Sequence, residues 1–157
     1  MAEDISEDFA MLVKVKVVYV AEALSGSAAP VVILEDEGGR ILPIFVGLSE
    51  AISIHQALTG DISPRPMTHD LFISVLENLN ASIKGVLIDD LDAGVYYARL
   101  TLAGTEGESE IDARPSDCLA LALRAKAPIR VKPTVVDASE IQRSEVEGLK
   151  GIEEFIR

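Results

Sequence analysis

The chain has 157 residues, nearly half of them apolar and a quarter charged, which is enough to bury the core of one domain. No run is long and apolar enough to span a bilayer, and the opening Met1-Ala2-Glu3-Asp4 lacks the basic and apolar regions of a signal peptide. With 26 acidic against 14 basic residues the net charge is −12, which disfavours nucleic-acid binding through a general basic surface, and the lone Cys118 excludes an internal disulfide and points to a reducing cytoplasm.

Residues 1–9 are polar and acidic and read as a flexible N-terminus. From Met11 to Val20, Val13, Val15, Val17 and Tyr19 alternate with Lys14 and Lys16, the pattern of a strand with one buried face. A loop over 25–30 leads to strands at 31–35 and 40–46, joined by the turn Asp36-Glu37-Gly38-Gly39. Pro43 places the second of these at an edge or a bulge. Ser49 is positioned to cap a helix through Leu58, with Gly60 as its stop, Ala51, Ile54 and Leu58 on its apolar stripe and His55 beside them. After the stiff linker Pro64-Arg65-Pro66, Thr68 caps a second helix through Leu79, with Leu71, Phe72, Val75, Leu76 and Leu79 expected to face inward.

Strands follow at 83–91 and 95–102, joined at Asp92-Ala93-Gly94, and then at 108–114 after the turn 104–107. The helix from Ser116 to Lys126 is apolar on most sides and is expected to be central, with Cys118 as a buried small hydrophobe. A short strand at 128–132 and one or two helices over 138–157, with Val146, Leu149, Ile152 and Phe155 or Ile156 on one stripe, complete the chain. Clustered strands interrupted by helices give an α+β single domain: a mostly antiparallel or mixed sheet, three core helices and a helical C-terminal tail. Its parts are the N-terminus 1–9, the domain 10–135 and an acidic tail 136–157.

Two segments concentrate the reactive side chains: Pro64-Arg65-Pro66-Met67-Thr68-His69-Asp70-Leu71 and Ile111-Asp112-Ala113-Arg114-Pro115-Ser116-Asp117. Each sets a cation, a proline, a hydroxyl and a carboxylate just before an apolar helical stretch. Capping by Thr68 and Ser116, with Asp70 and Asp117 in the first turns, explains half of each motif in purely structural terms. Arg65 and Arg114, held extended by the following proline, could grip a phosphate or a carboxylate, or equally Asp70 and Asp117 themselves. His69 is the better candidate for a general base, and His55 reads as a boundary residue. On the preceding strand Asp112 shares a face with Arg114, and a tight 104–107 turn would set Arg99 across from Asp112 and Tyr97 across from Arg114. Asp89, Asp90 and Asp92 form an acidic hairpin tip. The sequence contains no HExxH, CxxC, EF-hand loop, GxGxxG or P-loop.

The strings Leu42-Pro43-Ile44-Phe45-Val46-Gly47, Glu50-Ala51, 64–71, Asp90-Leu91, Tyr96-Tyr97-Ala98 and 111–117 together resemble the bifunctional nuclease family over about residues 10–135. The resemblance implies a compact α+β domain, frequent homodimers and hydrolysis of phosphodiester bonds in DNA and RNA. Its motifs fall on Glu50, Arg65, His69, Asp70, Asp112, Arg114, Ser116 and Asp117. On that reading His69, Asp70, Asp112 and Asp117 are catalytic, and Arg65, Arg114 and Ser116 bind substrate. Asp70, Asp112 and Asp117, with Glu50, would hold Mg²⁺ or Mn²⁺ if they converge. The alternatives are a non-enzymatic dimeric binding or regulatory module and a hydrolase of a small phosphorylated ligand.

Overall fold

In this computed structural model, residues 10–22 and 28–156 are described. The expected flexible N-terminus, and residues 25–27 of the expected loop, lie outside them. The strands are β1 (Met11–Glu22), β2 (Ala28–Asp36), β3 (Ile41–Phe45), β4 (Ser82–Asp92), β5 (Val95–Gly104), β6 (Gly107–Ala113), β7 (Ile129–Val131) and β8 (Lys150–Gly151). The helices are α1 (Leu48–Thr59), α2 (Thr68–Asn78), α3 (Pro115–Ala125) and α4 (Pro133–Ser139). One mixed sheet runs β3-β2-β1-β7-β4-β5-β6, with β8 beside β1. Among the described pairs, β4 with β7 is parallel and the others are antiparallel. The domain is α+β, as its element order requires. Pro43 lies on the edge strand β3, where one missing N–H costs least.

Alternation on β1 does not run unbroken. Val13 and Val15 are buried with Lys14 and Lys16 exposed, but the register against β2 shifts between Val15 and Val17. That bulge inserts one residue and reverses the faces. Val18 and Val20 therefore take the inner positions in place of the expected Val17 and Tyr19. Val17 and Tyr19 join Val31, Ile33 and Ile41 in a second apolar cluster, under Ile141, Val146 and Leu149 of the tail. Val32 and Leu34 alternate with Val31 and Ile33 and belong to the main core, so the two clusters occupy opposite faces of the sheet.

The tail earns its apolar residues this way, though not as long helices. It forms α4, 3₁₀ turns at Arg143–Glu145 and Ile152–Glu154, and the two-residue β8. Gly148 at φ +82° ends any helical run between them.

The main core sits between the sheet and the helices, and α3 is at its centre, with Cys118 through Ala122 all buried. Burial pushes the Cys118 thiol up to about 12, helped by the charges of Asp117 and Asp112, so it is a packed, protonated side chain. On α1, Ala51 and Ile54 are buried and Leu58 packs against them, as the stripe predicts. The expected orientation of α2 is overturned. Leu71, Phe72, Val75 and Leu79 are exposed, and Ile73 and Leu76 make the core contact. The helix lies on α3 at the margin of the core, and the face carrying His69 and Asp70 is tied down by polar contacts, which turns the richer apolar stripe outward. No described helix is long and apolar enough to cross a membrane.

Candidate functional site

The first turns of α1, α2 and α3 meet. Glu50 is in the first turn of α1, His69 and Asp70 in that of α2, and Asp117 in that of α3. None of the three begins where the hydroxyls suggested. Their N-caps are Gly47, Met67 and Arg114, so Ser49, Thr68 and Ser116 fall inside the helices and cap nothing. On α3 the cause is Pro115, whose fixed φ suits the first helical position and moves the start forward. On α2 the Asp70 carboxylate reaches back to accept the Met67 N–H at 2.9 Å. Arg114 is extended, at φ −65° and ψ 143°, as expected of a residue before proline.

A linear chain of contacts runs outward from the core. The buried Ser53 Oγ lies 2.6 Å from His69 Nδ1, and His69 Nε2 lies 2.9 Å from Asp117 Oδ1. Arg114 donates from Nε to Asp117 Oδ2 at 3.0 Å and from Nη2 to Oδ1 at 3.2 Å. The same Nη2 reaches Glu50 Oε1 at 3.3 Å. A carboxylate facing Nε2 requires a proton there, so in the neutral ring Ser53 donates to Nδ1, and in the imidazolium it accepts. Burial pushes the Asp117 carboxyl up, but the hydrogen bonds and charges of Arg114 and His69 outweigh it and hold the group below the usual carboxylate range.

The other sequence candidates are placed elsewhere. Asp70 accepts Arg124 Nε at 2.8 Å, and Arg124 Nη1 also donates to the carbonyls of Ser53 and Ala120, at 3.3 and 3.0 Å. Arg124 rather than Arg65 therefore grips Asp70, and it joins all three helices. Arg65 is exposed in the linker, with no ion pair among the described residues. Asp112 is exposed on β6, in register with Arg99, whose ion pairs include Asp89 at 3.0 Å and Glu110 at 2.8 Å. The expected Tyr97–Arg114 pairing does not form, because the ladder ends at Ala98 and Ala113.

The site thus gathers Glu50, Ser53, His69, Arg114 and Asp117. Sequence reading missed Ser53 and Arg124. Ser53 carries no local signal, whereas a lone cation on the otherwise apolar α3 is one that could have been noticed.

Glu50, Asp70, Asp112 and Asp117 do not converge on a common focus, and no group of three or more His, Cys, Asp or Glu among the described residues is arranged to hold a metal ion. The guanidinium of Arg114 stands between Glu50 and Asp117, where a shared cation would sit. This donor set does not fit Mg²⁺ or Mn²⁺.

Beside Arg114 opens a cleft of about 440 Å³, lined by residues 44–47 at the end of β3, 94–96 at the β4–β5 hairpin and 114–116 at the start of α3. The sheet curls enough that Tyr96 of β5 donates its hydroxyl to the Pro43 carbonyl of β3 at 2.9 Å, although four strands lie between them in the sheet.

The sequence model of the bifunctional nuclease domain matches residues 31–144, which includes the three helix starts and every member of the site. The chain belongs to the bifunctional nuclease domain family. An uncharacterized protein of Mycobacterium tuberculosis is 43% identical over 108 residues, covering 68% of this chain and 64% of that relative. Bifunctional nuclease 1 of Oryza sativa subsp. japonica is 33% identical over 101 residues, 62% of this chain and 30% of its own length. Bifunctional nuclease 1 of Arabidopsis thaliana is 29% identical over 101 residues, 62% of this chain and 31% of its own. The chain therefore spans less than two thirds of the mycobacterial relative and about a third of the plant ones.

Proposed function

We propose that this domain hydrolyses phosphodiester bonds in nucleic acid, at Arg114 and the carboxylates around it. The observation that carries the reading is one exposed arginine bound directly to Glu50 of α1 and Asp117 of α3, and through Asp117 to His69 of α2, within a family whose plant members are named nucleases. Helix N-termini and a guanidinium both favour an anion.

Asp117 orients Arg114 in a fork, His69 holds Asp117, and Ser53 holds His69. His69 has both ring nitrogens engaged and only 13% of its side chain exposed, so its role is to position the acid rather than to meet substrate. Arg114, with 64% of its side chain exposed, is the group that meets phosphate. Glu50, its more loosely bound partner, takes the proton of the attacking water. The water oxygen forms the new P–O bond, the bond to the leaving nucleoside oxygen breaks, and that oxygen is protonated from solvent.

The test is cleavage of single-stranded DNA and RNA by pure protein, comparing wild type with Arg114→Ala, Glu50→Gln and Asp117→Asn. Loss of about 100-fold or more is expected for Arg114→Ala, the scale of removing a charge-stabilising donor. Undiminished cleavage by all three variants would remove the assignment.

A second reading, a dimeric binding module, is favoured by one observation: α2 presents Leu71, Phe72, Val75 and Leu79 to the outside. Self-association through that stripe is compatible with hydrolysis, and pure protein without cleavage would leave it as the function.

A further inference from the structure

The hydrolytic scheme uses the cleft beside Arg114 only at its rim. Its wall is apolar and exposed: Phe45 is 65% accessible, Val95 is also exposed, and the ring of Tyr96 is held by its bond to Pro43. Phe45 ends the edge strand β3, so it is offered outward from a fixed backbone.

Ser116 supplies a polar point in this cleft. It is 7% accessible, yet its hydroxyl has no protein partner among the described residues. The hydroxyl is therefore left to solvent or to a group bound in the cleft. Arg114 engages its carboxylates through Nε and Nη2, which leaves Nη1 without a protein partner among the described residues. The starts of α1 and α3, helices of 12 and 11 residues, border the same space at Gly47 and Pro115 with no side-chain cap. An anion-binding corner thus adjoins an exposed aromatic face.

We propose that this cleft binds one nucleotide of a single-stranded nucleic acid, its phosphate at Arg114 and Ser116 and its base stacked on Phe45. The proposal rests on the phosphodiesterase reading and names its substrate class. A base inside a duplex hides its ring faces, whereas an unpaired base offers one, and stacking tolerates any base. The wall side chains from 44–46 and 95 are apolar, and the Tyr96 hydroxyl is already engaged. No wall side chain is then placed to read a base edge, so the site is indifferent to sequence.

Binding is measured by fluorescence anisotropy and calorimetry in EDTA, with cleavage followed separately on gels. The probes are labelled oligo(dT), the same strand annealed to oligo(dA), thymidine 5′-monophosphate and inorganic phosphate. Phe45→Ala is expected to weaken oligo(dT) about tenfold, within the range of base–aromatic stacking, and to leave inorganic phosphate unchanged. Phe45→Tyr should retain binding, and Ser116→Ala should weaken both ligands. Phe45 is exposed, so its variants are expected to fold, and circular dichroism checks this.

Equal affinity for the duplex, or oligonucleotide binding untouched by Phe45→Ala, overturns the proposal, as does binding of the mononucleotide without the oligonucleotide. Cleavage that persists while binding ignores Phe45 removes this inference alone. Binding as expected without any cleavage removes the hydrolytic reading alone.

Discussion

His69 Nε2 lies 2.9 Å from Asp117 Oδ1, joining the first turn of α2 to the first turn of α3 across 48 positions of the chain. The other ring nitrogen meets Ser53 of α1 at 2.6 Å, so one imidazole ties the first turns of α2 and α3 to the second turn of α1. Ser53→Ala removes the only partner of Nδ1 among the described residues inside a largely buried site. A buried polar group left unsatisfied costs about 1–3 kcal/mol, so the variant should unfold at lower denaturant with an unchanged m-value. If phosphodiester cleavage is present, it should fall with Ser53→Ala through loosened orientation of Asp117 and Arg114. Ser53→Thr, which keeps the hydroxyl, should restore part of it.

Acid should weaken the fold through three carboxylates. Asp36, buried beside Arg40, is pushed up by burial but pulled further down by the backbone N–H and guanidinium of Arg40. Asp70 is lowered chiefly by Arg124, and Asp117 by Arg114 and His69 against its burial. A carboxyl lowered in the folded state contributes stability above its unfolded value, near 4, and loses it as pH falls through the folded value. Denaturant midpoints should hold from neutrality to about pH 5 and drop below about pH 4. Asp117→Asn should start lower at pH 7 and show a shallower acid decline. An equally steep decline in that variant would exclude Asp117 from the linkage.

How far this was legible in the sequence depended on the range of the interaction. The alternation of β1 up to Val15, the Asp36-Glu37-Gly38-Gly39 turn, the edge role of Pro43 and the central α3 follow from local patterns, and they hold. The Val15–Val17 bulge, which reverses the faces of β1, is set by pairing with β2 and leaves no local mark. The orientation of α2 was missed because two stripes share the helix. The more apolar one faces out because His69 and Asp70 anchor the other to α3. Glu50, His69, Arg114 and Asp117 were recognisable as reactive residue types. Their assembly, and the diversion of Asp70 to Arg124, depended on contacts 48 to 64 positions apart that no spacing rule encodes.

The outward stripe of α2 sets a test of self-association. Leu71, Phe72, Val75 and Leu79 recur at helical spacing and are all exposed in one chain. Homodimerisation through this face predicts that Leu71→Asp with Val75→Asp gives monomers by sedimentation while thermal stability at low concentration changes little. A monomeric wild type over the micromolar range would dismiss the face as a self-contact.

Cys118 should behave as core. Its thiol, pushed up to about 12 by burial, should resist a disulfide-exchange reagent in the native protein and react at once in denaturant. Cys118→Ser places a hydroxyl in an apolar setting and should cost roughly 1–3 kcal/mol, whereas Cys118→Ala should cost less. Any catalytic activity should survive Cys118→Ala, and loss of it in a folded variant would mean that the thiol acts in the chemistry.

The end of α3 carries a strain that a substitution can relieve. Lys126 sits at φ 55°, a left-handed conformation, and its N–H closes the helix on the Ala122 carbonyl. A side chain there costs about 1–2 kcal/mol relative to glycine, which adopts the region freely. Against this, Lys126→Gly removes a cation from a helix C-terminus, worth about 0.3–1 kcal/mol at an exposed site, and adds freedom to the unfolded chain. The steric term is the larger, so a net gain of about 0.5 kcal/mol is expected, a rise of one or two degrees in Tm for a domain of this size. High salt separates the two effects, because it screens the dipole term in wild type and leaves the backbone term intact. The gain should therefore widen with ionic strength. A variant less stable than wild type at every salt concentration would show that the charge, not the backbone, decides the end of this helix.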